Sequence, residues 1–85
     1  MPDVTIYTKS HCPYCHAAKS LLTKKNVSFN EIPVTSAEQQ AEMAKKAGGR
    51  STVPQIWIGT RHVGGCDDLH ALEYSGELDR LLATA

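Results

Sequence analysis

The sequence predicts an α/β sandwich, a four-stranded mixed sheet in the order β-α-β-α-β-β-α covered by helices. Three observations carry that prediction. A β-branched run, an apolar helical spacing and a second extended run follow one another within about thirty residues, the length of a parallel crossover unit. Farther on, Gly59-Thr60 separates an apolar run from a short return segment, and two-residue loops containing glycine favour antiparallel hairpins. A leucine stripe then closes the chain. At 85 residues the whole length, 1–85, is expected to form one domain.

Val4 to Thr8 is short, mostly apolar and rich in β-branched and aromatic residues, as a strand buried on both faces would be. Lys9 and Ser10 form the loop that follows. From Pro13 to about Lys25, the residues Ala17, Ala18, Leu21 and Leu22 recur at helical spacing, and Asn26, tolerant of the left-handed conformation, ends the helix. Val27 to Val34 reads as the second strand, with Val27, Phe29 and Ile32 directed inward and Pro33 near its end. Ser36 caps the next helix, and Gln39 stands three residues on to close a capping box. That helix is polar and alanine-rich, so it belongs at the surface, with Met43 as packing and Gly48-Gly49 as its stop. Val53 to Ile58 is the third strand, interrupted near its start by Pro54, a candidate cis peptide. Arg61 to Val63 is the fourth, ended by Gly64-Gly65. Asp67 and Asp68 open a last helix whose Leu69, Leu72, Leu78, Leu81 and Leu82 form a core-facing stripe, broken only near Ser75-Gly76.

Bulk properties exclude several classes. Nine basic and nine acidic residues cancel, which gives no reason to expect a nucleic-acid or membrane-surface partner. No apolar run approaches the roughly twenty residues of a membrane span. Three cysteines is an odd set for a secreted disulfide scaffold, so a reducing compartment, the cytoplasm, is expected.

The chemistry concentrates in Cys12-Pro13-Tyr14-Cys15, at the junction of the first strand and the first helix. A helix start points unpaired N–H groups and positive dipole at its occupant, and a thiolate suits that place. Pro13 fits the first helical position, so Cys12 reads as the N-cap and Cys15 as a residue one turn in. Near Lys9 and His11, the Cys12 thiol is expected to titrate within about 3.5–7.5 and to act as nucleophile, with Cys15 as the shielded resolving thiol. A structural disulfide would close too short a loop to stabilise much. A zinc site would need a second ligand pair, and the sequence offers only Cys66 and scattered histidines, so no metal is expected. Cys12 to His16 also matches a haem-attachment pattern, but Met1-Pro2-Asp3 shows no charged-then-apolar leader of the kind exported haem proteins carry.

With Cys-Pro-Tyr-Cys after the first strand, Thr52-Val53-Pro54 before the third and Gly64-Gly65-Cys66-Asp67-Asp68 after the fourth, the chain resembles a glutaredoxin over essentially its whole length. The resemblance implies the thioredoxin fold and a glutathione-dependent reduction of protein disulfides and glutathione mixed disulfides. Glutathione would be a co-substrate, with no tightly bound cofactor. The catalytic pair, and the redox-active disulfide it forms, would be Cys12 and Cys15.

The resemblance also implies a binding set. Lys9 would take the glycyl carboxylate of glutathione and Tyr14 would line the groove. Thr52, Val53 and Pro54 would hold the cysteinyl part, Val53 through its backbone. Gly65, Cys66 and Asp67 would present the start of the last helix to the γ-glutamyl carboxylate, and Asp68 would take the neighbouring ammonium. Many members use a glutamine or arginine of the second helix on the glycyl carboxylate. The aligned residue here is Ala41, which leaves Gln40 or Arg50 to substitute. Partners implied are glutathione and disulfide-containing or glutathionylated proteins, ribonucleotide reductase among them, met by a monomer. The alternative the family offers is a carrier of an iron–sulfur cluster, shared by two subunits through Cys12 and glutathione. Pro13 stiffens the site against it, and Cys15 competes for Cys12.

Overall fold

The computed structural model describes residues 2–83, so Met1, Thr84 and Ala85 of the expected domain 1–85 lie outside the described residues. The elements are β1 (Val4–Thr8), α1 (Pro13–Lys24), β2 (Asn30–Pro33), α2 (Ala37–Lys46), β3 (Gln55–Ile58), β4 (Arg61–Gly64), α3 (Cys66–Ser75) and α4 (Glu77–Ala83). They build a four-stranded sheet in the spatial order β2-β1-β3-β4. β1 pairs parallel with β2 and antiparallel with β3, and β3 pairs antiparallel with β4. This is the thioredoxin fold, with the mixed sheet the sequence predicts.

Central β1 is buried on both faces, and the alternation of its side chains divides the core. Val4 and Ile6 pack with Ala18, Leu21 and Leu22 of α1 and Leu69 of α3. Tyr7 turns the other way, onto Met43 of α2 and onto Val34, just after β2. Helices therefore cover both faces, and Met43, fully buried, is packing as expected.

Three boundaries differ from the sequence reading. The second strand is shorter than Val27 to Val34, because Asn26 turns left-handed at φ 57° and the Val27 N–H returns to the Leu22 carbonyl at 3.2 Å. Val27 is thus buried as part of the helix end, and the ladder begins only at Asn30. The third strand omits Val53 and Pro54, whose cis peptide lies in the loop before Gln55. Instead of one last helix there are two, since Gly76 at φ 82° stops α3. The capping box of α2 also reaches one residue farther out. Ser36 Oγ accepts from the Gln39 N–H, but Gln39 Oε1 accepts from the N–H of Thr35, at 2.7 Å. Among the described residues no helix is long and apolar enough to cross a membrane.

Candidate active site and binding groove

The start of α1 forms as its residue types dictate. Cys12 is the N-cap, with φ −111° and ψ 103°, and Pro13 follows at the first turn. Cys12 Sγ accepts from the Cys15 N–H at 3.2 Å, the side-chain cap that Ser or Asp supplies in other helices. The sulfur also lies 3.9 Å from the Val53 carbonyl oxygen.

Cys15 sits in the opposite environment, at 2 % exposure. Burial, followed by its hydrogen bond with Cys12, pushes its thiol up to about 11. It therefore keeps its proton at neutral pH. The sign has a consequence for stability. Because the folded protein holds this proton more tightly than the unfolded chain, stability is full below about pH 9 and falls as pH rises towards 11. Denaturant titrations of the reduced protein should show that fall, and Cys15→Ser should lack this share of it. The comparison separates the thiol from Lys25, whose ion pairs with Glu73 and Asp79 are also lost as lysines deprotonate.

Beside Cys12 lies a cavity of about 280 Å³ lined by Tyr14, Arg50, Thr52, Val53, Pro54, Gly65, Cys66, Asp67 and Asp68. The structure thus gathers every residue the sequence proposed for the groove except Lys9. The Lys9 ammonium instead donates to Gln40 Oε1 at 2.8 Å, and Gln40 Nε2 donates to the Ser51 carbonyl at 3.2 Å. Gln40 and Arg50, interchangeable in the sequence reading, are separated here: Gln40 joins Lys9, while Arg50 joins Asp68.

The far wall is built by the start of α3. Gly65 is its N-cap, and Asp68 Oδ2 accepts from the Gly65 N–H at 2.9 Å and from Arg50 at 3.1 Å. The Gly65 N–H, then the Arg50 guanidinium, hold the Asp68 carboxyl below the usual carboxylate range. Gly64, at φ 114°, makes room for this arrangement. A Cβ there would collide with Asp68 Oδ2 and come within 2.7 Å of Arg50 Nη1.

Thr52 is fixed from behind. Fully buried Gln55 donates through Nε2 to the Thr52 carbonyl at 3.0 Å, and its Oε1 lies 2.7 Å from His62 Nε2. Burial, then the charge of Arg50, lowers the His62 pKa. A neutral imidazole donating from Nε2 satisfies both side chains. His62 also stacks on Trp57, with ring centroids 4.7 Å apart.

Cys66 is buried against His70, with Sγ 3.4 Å from Nδ1, and burial raises its thiol pKa. All three cysteines are free thiols. Among the described residues no group of three or more His, Cys, Asp or Glu side chains is placed to hold a metal ion.

This geometry can be set beside known proteins. A family model described as Glutaredoxin matches residues 4–63. The chain belongs to the glutaredoxin family. Glutaredoxins are thiol oxidoreductases, and two thiols one helical turn apart suit that redox chemistry. A glutaredoxin of Pseudomonas aeruginosa is 61 % identical over 84 residues, covering 98 % of this chain and 99 % of that protein. Glutaredoxin 3 of Escherichia coli is 55 % identical over 82 residues, covering 96 % and 99 %. The solution structure of a Brucella melitensis glutaredoxin superposes with a TM-score of 0.85 at 57 % identity, covering 96 % of this chain and 89 % of that one. A buckwheat glutaredoxin–glutathione complex superposes with a TM-score of 0.86 at 27 % identity, covering 95 % and 76 %.

Sequence reasoning missed Gly64 as a spacer, the Arg50–Asp68 pair and the Gln55–His62 support in this glutaredoxin. Gln55 left a signal, being a polar residue within an apolar strand. Arg50 left none, because its partner is 18 residues away.

Proposed function

We propose that the protein is a glutathione-dependent thiol-disulfide oxidoreductase, with Cys12 as nucleophile and Cys15 as resolving thiol. The observation that carries this reading is the position of Cys12 Sγ, capped by the Cys15 N–H and 3.9 Å from the carbonyl of Val53, itself part of the groove wall. Cys12 attacks a substrate disulfide and forms a mixed disulfide. Cys15 then displaces the substrate thiol, and glutathione resets the pair. For a glutathione mixed disulfide, a second glutathione replaces Cys15 in the release step.

The groove supports glutathione as co-substrate. A strand-like tripeptide would pair with the Val53 backbone as an added strand does, beside Thr52 and Pro54. The first turn of α3, at Gly65, Cys66 and Asp67, would receive the γ-glutamyl carboxylate, with Asp68 for the ammonium. Tyr14, 64 % exposed, would cover the tripeptide from the α1 side. Lys9 would take the glycyl carboxylate together with Gln40, the residue its ammonium already meets. That a buckwheat member is known with glutathione supports this assignment. We further propose that the chain works as a single-domain monomer in the cytoplasm on protein disulfides, those of ribonucleotide reductase included.

The test is turnover of a glutathione mixed disulfide coupled to glutathione reductase, set beside turnover with thioredoxin reductase as electron source. Glutathione is expected to sustain turnover. Equal rates with thioredoxin reductase and no saturation by glutathione would refute the reading. Visible absorbance of protein purified without oxygen tests the cluster-carrier alternative in the same preparation.

A further inference from the structure

A second cavity, of about 440 Å³, is lined by Cys15 but not Cys12, and its walls include Thr8, Lys9, His16, Lys19 and Glu31. Its charged side chains are held in place. Lys19 follows Cys15 by four residues on α1, a spacing that stacks side chains on one helix face. Lys19 Nζ lies 3.1 Å from Glu31 Oε2 on β2, and that oxygen accepts at 2.7 Å from Thr8 Oγ1 on central β1, buried at 2 % exposure. The ion pair is half-exposed, so it adds little to stability. What it does is tie a lysine to the wall of the chamber that the inner thiol faces.

We infer that Lys19, anchored by Glu31 and Thr8, is a positioning residue for the resolving half of the reaction, holding a cation beside the Cys15 sulfur as that thiol ionises and attacks. The inference rests on the function proposed above. In the step, the Cys15 thiol loses its proton to water and its sulfur attacks Cys12 Sγ of the mixed disulfide. The Cys12–Cys15 bond forms as the bond from Cys12 to the substrate sulfur breaks. Cys15 is oxidised, and the substrate sulfur leaves reduced, taking up a proton. A buried thiol pushed up to about 11 makes ionisation the costly part, and the Lys9 backbone, then the charge of Lys19, act against that cost. The other titratable groups around Cys15 are Cys12, Lys9 and His11 from the loop, His16 on α1 and Glu31 on β2. Glu31 is kept anionic by the Thr8 hydroxyl and then by Lys19, and it offsets part of the lysine's charge while fixing its position.

Stopped-flow reaction of the reduced protein with 5,5′-dithiobis(2-nitrobenzoate) separates the steps. The first thionitrobenzoate released reports attack by Cys12, and the second reports resolution by Cys15. Lys19→Met is expected to slow the second phase roughly three- to fivefold near pH 7.5, the scale of one partly exposed charge. It should also raise the pH midpoint of that phase and leave the first unchanged. Lys19→Arg should restore both, and Lys24→Met, an exposed lysine farther along α1, should behave as wild type. A second phase in Lys19→Met with wild-type rate and pH midpoint overturns the inference, as does equal slowing in Lys24→Met. If instead the wild type releases no second thionitrobenzoate, or glutathione fails to sustain its turnover, the proposed function itself fails.

Discussion

Replacing Cys12 by serine is expected to abolish every disulfide exchange, whereas Cys15→Ser should spare one of the two activities. The cause is the division of labour proposed for the two thiols at the start of α1. Cys12 is the more accessible sulfur, with an N–H donor at 3.2 Å, and without it the groove keeps only the buried Cys66 thiol, whose pKa burial raises. Cys15 is buried and, in the proposed mechanism, enters only once a mixed disulfide stands on Cys12. When that partner is glutathione, a second glutathione can release it. A large protein partner leaves less access for an outside thiol, so the serine variant should stall there. Rates with a glutathionylated peptide and with a protein disulfide measure the split. The first should stay within a few-fold of wild type in Cys15→Ser and the second should fall by about a hundredfold or more, the scale of losing an intramolecular reactant. Activity of either kind in Cys12→Ser would show the roles to be misassigned.

The second large effect is expected at a residue with no chemistry of its own. Gly64→Ala places a Cβ at φ 114° and against the Asp68 carboxylate, so the side chain that caps α3 and meets Arg50 must move. Left-handed strain contributes about 1–3 kcal/mol and a disturbed helix cap about another 1 kcal/mol. The end of the groove formed by Gly65 and Asp68, proposed above for the γ-glutamyl group, should suffer with it. KM for a glutathione mixed disulfide is expected to rise about tenfold with kcat nearly unchanged, the loss of one charge-assisted contact. Gly49→Ala supplies the control. Gly49 also has a positive φ, 98°, but nothing within 4 Å of its Cβ position, so it should lower the melting temperature without raising KM. Equal KM effects in both variants would assign the loss to backbone strain alone.

Legibility of the sequence follows the range of each interaction. The Cys12 cap, Pro13, the left-handed Asn26, the Ser36 cap and the cis Val53–Pro54 bond are set within a few residues, and local chemistry was enough to read them. Boundaries set by competition were harder. Val27 and Phe29 carry strand-like side chains, yet closing α1 uses the Val27 N–H, and the strand starts later. Gly76 read as a weak spot in one helix because the leucine stripe runs on past it, with Leu78 and Leu82 buried in the same core as Leu69, although the residue itself is a left-handed helix stop. The residues that line the cavity were named almost completely by motif, while the contacts among them were not. That Lys9 turns to Gln40, that Arg50 turns to Asp68, and that His62 meets Gln55 behind Thr52 are facts of tertiary placement across 7 to 31 residues.

The difference between the two active-site thiols is tested most directly by timed alkylation of the reduced protein at pH 7.5, with labelled sites located by peptide mass mapping. Label is expected on Cys12 within the first minutes, with Cys15 and Cys66 reached only after unfolding or at strongly alkaline pH. Cys15 labelled as fast as Cys12 in the folded protein would contradict the account.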